Sequence, residues 1–126
     1  MKRILIADDE QDIRSLLKTV LSAPEREFLE ARDGPETLRL ATESSPALII
    51  LDWMMPGIDG SEVVIRLRRV PDLSSVPIIM ISARTVAEDA YLRSILNLHA
   101  YIPKPLDLAE LRTSVASALS VLPDSA

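Results

Sequence analysis

Polar side chains follow several apolar runs of this sequence, at positions where they could bind a metal ion or act as nucleophiles. Asp8 and Asp9 come directly after residues 4–7, and Asp52 follows residues 48–51. Ser82 ends a third apolar run, and Lys104 comes shortly after a fourth. If these runs are strands of one parallel sheet, their carboxyl ends lie at the same edge. The sequence therefore predicts one acidic site that also contains a hydroxyl and an amine.

The three carboxylates of this predicted site favour metal-assisted phosphoryl chemistry. Carboxylates within a few ångströms repel one another strongly, so the cluster needs a cation or a raised pKa. Hard oxygen ligands, with no cysteine and one histidine in the chain, indicate Mg²⁺ or Mn²⁺. A carboxylate beside such an ion can attack phosphorus and carry an aspartyl phosphate. Asp52 is the candidate nucleophile, and Lys104 and Ser82 could bind the phosphoryl oxygens.

Each residue also has a simpler interpretation. Asp52 could begin or cap a turn, and Asp9 could be a helix N-cap. Ser82 could be an ordinary turn residue, and Tyr101 could only pack on an edge strand. His99 is interpreted as an exposed turn residue without a role. Single positions leave these alternatives open, but the convergence of five polar groups at one edge favours a site.

The elements that must position these residues alternate between apolar runs and amphipathic segments. Five runs are predicted strands: residues 4–7, 27–31, 48–51, 76–82 and 100–103. Five segments are predicted helices: residues 13–21, residues 35–43, residues 61–70, residues 85–96, and a last helix that begins after an N-cap at Asp107. The spacing predicts that Leu16 faces the core in the first helix, and that Arg66, Arg68 and Arg69 face outward in the third.

This alternation predicts an α/β fold, a doubly wound five-stranded parallel sheet in the order 2-1-3-4-5 with (βα)5 flavodoxin-like topology. Residues 48–51 show no polar alternation, which is typical of a strand covered on both faces. Pro103 indicates that the fifth strand lies at a sheet edge. Residues 1–122 are predicted to form one domain, and residues 123–126 a flexible tail.

Composition excludes several classes of function. The 126 residues suit one domain, and a net charge of −5 with a pI near 4.8 argues against direct nucleic acid binding by this segment. No run is long enough to span a membrane, and no signal peptide is evident, so a cytoplasmic location is expected. Aromatic residues make up 3% of the chain, which poorly supplies a stacking platform for bases or flavins.

An ordered set of motifs in this sequence resembles the receiver domain of two-component response regulators, the family of the chemotaxis response regulators. The set comprises Asp8-Asp9, Leu51-Asp52, Met55-Pro56-Gly57, Asp59-Gly60, Ser82-Ala83, and Tyr101 three residues before Lys104-Pro105. Each motif is weak alone, whereas the ordered set is specific and covers nearly the whole chain. One departure lies at residues 97–100, Asn-Leu-His-Ala, beside the aromatic residue.

The resemblance implies roles for the site residues. Asp52 would be the phosphoacceptor, and Lys104 would bind the phosphate and precede a cis peptide bond to Pro105. The implied Mg²⁺ ligands are Asp9 directly, Asp8 mainly through water, Asp52 itself and the Met54 backbone carbonyl, and Mn²⁺ could replace Mg²⁺. Ser82 and Tyr101 would form the switch.

The resemblance also implies a function as a signalling switch without enzymatic action on a separate substrate. A sensor histidine kinase or phosphotransfer protein would phosphorylate Asp52. The face formed by residues 85–96, the fifth strand and the last helix would then change to control an output domain or target protein. A phosphorylation-dependent homodimer is also expected. No interaction with a membrane is expected.

Other classes of protein stay open at this point. One is a metal-dependent phosphohydrolase with an aspartyl intermediate, although Met54 stands where such enzymes commonly carry an acid/base Asp two residues after the nucleophile. Another is a binding module that has lost phosphorylation, which the complete set of site residues disfavours. A flavodoxin-like cofactor carrier is disfavoured because aromatic residues are scarce.

Overall fold

The computed structural model describes residues 1–83, 94 and 96–120, and these contain one parallel sheet in the order β2-β1-β3-β4-β5. The elements are β1 (Lys2–Ala7), α1 (Gln11–Leu21), β2 (Arg26–Ala31), α2 (Gly34–Ser44), β3 (Leu48–Asp52), α3 (Gly60–Arg69), a 3-10 helix (Pro71–Leu73), β4 (Ile78–Ser82), β5 (Ala100–Pro103) and α4 (Leu108–Ser120). The doubly wound flavodoxin-like fold and its strand order are therefore confirmed. The predicted helix at residues 85–96 lies almost entirely outside the described residues.

The sheet is buried on both faces because alternate residues of each strand enter two different cores. Leu5, Ile49 and Leu51 pack with residues of α2 and α3 such as Ala41 and Val64. Their neighbours in sequence, Ile4, Ile6, Leu48 and Ile50, pack with residues of α1 and α4 such as Leu17 and Leu111. Every residue of β3 is buried, as the unbroken apolar run predicted. β3 thus forms the rigid centre of the domain.

The strand register brings the predicted site residues to one level of the sheet. Ala7 pairs with Leu51, Asp52 with Ile81, and Ser82 with Pro103. Hydrogen bonds extend this ladder past the strand ends, because the Trp53 N–H donates to Ile81 O over 2.9 Å. The Lys104 N–H likewise donates to Ser82 O over 2.8 Å. The positions of these residues are therefore set by the sheet itself.

Asp residues begin three of the helices, but not α1. Asp33, Asp59 and Asp107 each accept backbone hydrogen bonds in the first turn of α2, α3 and α4, which confirms the predicted cap at Asp107. The predicted N-cap role of Asp9 is wrong. The N-cap of α1 is Glu10, and its backbone N–H donates to Asp8 Oδ1 over 2.8 Å. The side chain of Glu10 makes no capping hydrogen bond, so the Asp8 carboxylate instead binds the backbone just before the first turn of α1.

Two side-chain orientations also differ from the sequence prediction. Leu16 is 41% exposed, because the buried side of α1 carries Arg14, Leu17 and Leu21 instead. Arg68 is half-buried rather than outward. Its guanidinium donates to four backbone carbonyls, those of Leu73, Ser74, Val76 and Asn97.

The strands match the predictions closely, with small shifts at their ends. β2 begins one residue earlier than predicted, and β3 includes Asp52. β4 begins at Ile78 rather than residue 76, since Pro77 has no N–H to donate to the ladder. Pro103 lies in β5 at the edge of the sheet, as predicted. Among the described residues, none of the helices has the length and apolar character needed to cross a membrane.

Candidate functional site

The structure gathers the predicted acidic and basic residues at the carboxyl edge of the sheet. Asp8, Asp52 and Ser82 are buried at the ends of β1, β3 and β4, while Asp9 is exposed. The Lys104 ammonium reaches across from the loop after β5. It lies 3.4 Å from Asp52 Oδ2 and 4.0 Å from Asp8 Oδ2. Lys104 therefore contacts two carboxylates that come from neighbouring strands.

The surroundings of the Asp8 carboxyl disfavour its ionised form. The pKa of Asp8 is raised from 3.8 to about 7, mainly by burial and also by the negative charge of Asp52, although the Glu10 N–H and Lys104 oppose the rise. Among the described residues, Asp8 Oδ2 has no hydrogen-bond partner. A buried carboxylate oxygen in this condition is suited to contact a cation.

A group of carboxylates beside Asp8 has the donor chemistry of a hard-cation site. One carboxylate oxygen from each of Asp8, Asp9 and Glu10 lies within 4.8 Å of the other two. Oxygen donors are the preferred ligands of Mg²⁺, which usually keeps several waters and binds one or two carboxylates. The residues present therefore fit Mg²⁺. Glu10 is not among the ligands predicted from the sequence, although its place directly after Asp8-Asp9 is a visible signal.

The loop after Asp52 lies against the Asp52 carboxylate. The Met54 N–H donates to Asp52 Oδ1 over 3.1 Å, and the Met54 side chain is 66% exposed beside the site. The Gly60 N–H closes the loop by donating to Trp53 O over 2.8 Å. A Cβ at Gly60 would lie 2.8 Å from Trp53 Cα, so only glycine allows this close approach. The predicted role of the Met54 carbonyl stays a prediction.

The predicted switch residues lie on neighbouring strands of the sheet but differ in their surroundings. Ser82 is fully buried at the end of β4. Tyr101 is buried in β5, and its ring centroid lies 6.4 Å from that of Trp53 at an interplanar angle of 46°. Trp53 is 5% exposed and belongs to the core. The side chain that directly follows Asp52 therefore packs near Tyr101, the predicted switch residue.

The loop that carries Lys104 is fixed at its base. The Lys104-Pro105 peptide bond is cis, as the family resemblance implied. Lys104 also bonds through its backbone to β4, as described above.

A buried arginine near the site was missed by the sequence analysis. Arg14 is 7% exposed and donates to Asp8 O over 2.7 Å and to Glu30 Oε1 over 2.9 Å. Its position three residues before Leu17 and seven before Leu21 placed it on the buried side of α1, which was the available signal. Its partner Glu30 comes from β2, so the local sequence could not identify this contact.

The fold and site define a class of protein. A doubly wound sheet in this order, with aspartates after β1 and at the end of β3 facing a lysine after β5, is the arrangement of a receiver domain. A sequence profile described as the response regulator receiver domain matches residues 4–116. The chain belongs to this family of two-component response regulators. Phosphorylation of an aspartate and use of Mg²⁺ at an acidic pocket are general properties of the family.

The chain resembles both curated proteins and solved structures of the family. It is 38% identical over 117 residues to the transcriptional regulatory protein PrrA of Mycobacterium tuberculosis, covering 93% of this chain and 49% of that protein. It is 34% identical to the phosphate regulon transcriptional regulatory protein PhoB of Pseudomonas aeruginosa, covering 94% and 52%. The chemotaxis response regulator CheY4 of Vibrio cholerae superposes with a TM-score of 0.86 at 27% identity, covering 94% and 99%. The chain spans about half the length of the curated relatives it matches.

Proposed function

We propose that this domain is a phosphorylation-activated switch in which Asp52 accepts a phosphoryl group in a Mg²⁺-dependent reaction. The donor is the phosphohistidine of a sensor histidine kinase or phosphotransfer protein. The observation that carries the proposal is the position of the Lys104 ammonium, 3.4 Å from Asp52 Oδ2 and 4.0 Å from Asp8 Oδ2. A lysine shared by two buried carboxylates is placed to balance charge on a group attached to either.

The proposed metal ligands are Asp8, Asp9, Asp52 and the Met54 carbonyl. The hydrogen-bond vacancy at Asp8 Oδ2 and the raised pKa of Asp8 support a cation beside this carboxylate. When bound, Mg²⁺ would supply positive charge to the phosphoryl oxygens. Mn²⁺ offers the same preference for oxygen ligands and could serve as a substitute.

The side chains act at defined steps of the transfer. An Asp52 carboxylate oxygen attacks phosphorus and forms an O–P bond, while the P–N bond to the donor histidine breaks and returns its electron pair to the imidazole. Lys104 then transfers its contact from the carboxylates to the new phosphoryl oxygens. The Met54 N–H, which donates to Asp52 Oδ1, orients the carboxylate for attack.

The response is proposed to spread through Ser82 and Tyr101. The Ser82 hydroxyl hydrogen-bonds a phosphoryl oxygen, and Tyr101 changes its side-chain position in β5. This changes the predicted output face, which includes β5 and α4, and an output domain or target protein responds to that change. The curated relatives of this chain, PrrA and PhoB, are named transcriptional regulatory proteins, which supports an output in gene regulation.

The remaining expectations from the sequence stay predictions. They are one domain over residues 1–122 with a tail at 123–126, a phosphorylation-dependent homodimer, a cytoplasmic location, and no direct nucleic acid or membrane binding by this segment. Membership of a signalling family supports a role without enzymatic action on a separate substrate. The exposed Met54 side chain at the position where a phosphohydrolase would carry its acid/base Asp supports the same choice.

The test uses Trp53, the only tryptophan of the chain, as a reporter beside Asp52. MgCl₂ and then acetyl phosphate or beryllofluoride are added to the wild type, to Asp52→Asn and to Asp72→Asn, an exposed matched control. We expect a saturable, Mg²⁺-dependent fluorescence response in the wild type and Asp72→Asn that Asp52→Asn abolishes. Intact mass after incubation with a phosphorylated cognate kinase reports phosphorylation directly. An unshifted mass in the wild type would refute Asp52 as phosphoacceptor.

A further inference from the structure

Arg14 is a buried cation that the proposed phosphoryl transfer does not use. It lies on α1, and its side chain bonds to the end of β1 through Asp8 O and to β2 through Glu30. Burial of a charged group is unfavourable unless the group is paired and hydrogen-bonded. The Glu30 carboxylate supplies that pairing, and Lys18 binds its second oxygen over 2.7 Å.

The bond from Arg14 to the Asp8 carbonyl fixes the peptide that joins the two aspartates. The Asp8 carbonyl and the Asp9 N–H belong to one planar peptide unit, so holding the carbonyl also sets the direction in which Asp9 leaves. The rest of Asp8 is held as well. Its N–H donates to Ala31 O over 3.0 Å, and its Oδ1 accepts from the Glu10 N–H over 2.8 Å. Asp8 Oδ2 is left directed toward Lys104.

We propose that Arg14 is a positioning residue for the divalent-cation site, and that Glu30 orients it. Arg14 acts through the backbone of the Asp8-Asp9 peptide, so that both carboxylates are arranged for the ion before it binds. This inference rests on the proposed role of Asp8 and Asp9 as Mg²⁺ ligands. Residues that orient metal ligands typically change metal affinity about 10-fold to 100-fold when they are replaced.

The sign of the effect separates positioning from simple electrostatics. Removal of a positive charge near a cation site increases cation affinity when only charge matters, because repulsion falls. Removal of a positioning contact decreases affinity, because the ligands must be ordered when the ion binds. The two explanations therefore predict opposite changes in Mg²⁺ affinity for Arg14→Met.

Lys18→Met is the matched control. Lys18 carries the same charge, lies on the same helix and binds the same Glu30, but its ammonium contacts Glu30 rather than the Asp8-Asp9 peptide. Arg14→Lys keeps the charge and lacks the planar fork that bonds to both Asp8 and Glu30. The three variants thus separate charge, the ion pair with Glu30 and the backbone contact.

Mg²⁺ alone is titrated into wild type, Arg14→Met, Arg14→Lys and Lys18→Met, with Trp53 fluorescence and the Mg²⁺-induced shift in melting temperature as readouts. We expect the Mg²⁺ Kd to rise about 10-fold in Arg14→Met, by less in Arg14→Lys, and to stay within about 2-fold of wild type in Lys18→Met. Circular dichroism without metal checks that each variant is folded. If Arg14→Met does not fold, the comparison of Arg14→Lys with Lys18→Met tests the inference instead. We then expect the Mg²⁺ Kd of Arg14→Lys to be at least about 3-fold above that of Lys18→Met.

Two results would overturn the inference. A Mg²⁺ Kd of Arg14→Met equal to or below that of wild type would show that the arginine only joins α1 to β2. If Arg14→Met does not fold, a Mg²⁺ Kd of Arg14→Lys equal to or below that of Lys18→Met would show the same. A wild type that fails to respond to Mg²⁺ by either readout would refute the metal site itself, and with it the positioning role.

Discussion

Asp8 should destabilise the metal-free protein at neutral pH, because its buried carboxyl is forced to ionise beside Asp52. We predict that Asp8→Asn is more stable than the wild type in EDTA. A pKa raised from 3.8 to about 7 corresponds to about 4 kcal/mol of lost stability above pH 7, at about 1.4 kcal/mol for each pH unit. Asparagine keeps an oxygen that can accept from the Glu10 N–H but loses the attraction to Lys104. The expected net gain is therefore about 1–3 kcal/mol.

The pH dependence gives this prediction a second test. Between pH 4 and 7 the folded wild type holds a proton on Asp8 that the unfolded chain has already released, so its stability falls as pH rises through this window. Asp8→Asn lacks this contribution. The difference in unfolding free energy between the two proteins should therefore grow from pH 4 to pH 7 and level off above it.

Urea unfolding in EDTA, followed by circular dichroism at several pH values, measures this difference. Asp72→Asn, an exposed aspartate, is the control and should follow the wild type. Addition of MgCl₂ should stabilise the wild type more than Asp8→Asn, since a ligand of the folded state raises stability by mass action. An Asp8→Asn protein that is less stable than wild type at pH 7.5, or whose difference from wild type does not change with pH, would contradict the reasoning.

Two further substitutions test other parts of the structure. Lys104→Ala should leave Mg²⁺ binding largely intact but uncouple phosphorylation of Asp52 from any change at Tyr101, measured by NMR of the Tyr101 ring with beryllofluoride; an unchanged response would remove Lys104 from the mechanism. Arg68→Met should lower the free energy of unfolding by about 2–4 kcal/mol, because it leaves partly buried carbonyls without their charged donor. Arg66→Met, which breaks only an exposed pair on the same helix, should cost about 0–1 kcal/mol, and equal urea midpoints for the two variants would argue against this account.

The sheet and the convergence of the site could be predicted from sequence because both depend on local signals. Unbroken apolar runs such as residues 48–51 identify buried parallel strands, and parallel strands necessarily bring their carboxyl ends to one edge. Asp8, Asp52 and Lys104 therefore meet as predicted. A single polar residue after a strand would not have been enough to predict the site, since each such residue has an ordinary interpretation as a turn or cap residue.

The residues that were missed or misplaced depend on partners that are distant in sequence. Arg14 is buried because Glu30 and the Asp8 carbonyl accept hydrogen bonds from its guanidinium, and Arg68 is half-buried because backbone carbonyls of other segments accept from its guanidinium. Helical periodicity can place a charged residue on the apolar side of a helix, as it does for Arg14, but it does not show whether a distant partner is present to pair with the buried charge.

The loop closed by the bond from the Gly60 N–H to Trp53 O assigns core packing and exposure beside the site to two different residues. Trp53 anchors the start of the loop in the core, whereas Met54 projects from it into solvent beside the carboxylate. Substitutions at Met54 can therefore change the surroundings of the Asp52 carboxylate while the core packing around Trp53 stays the same. Under the proposed function, the lifetime of the aspartyl phosphate could then change through Met54 at little cost in stability.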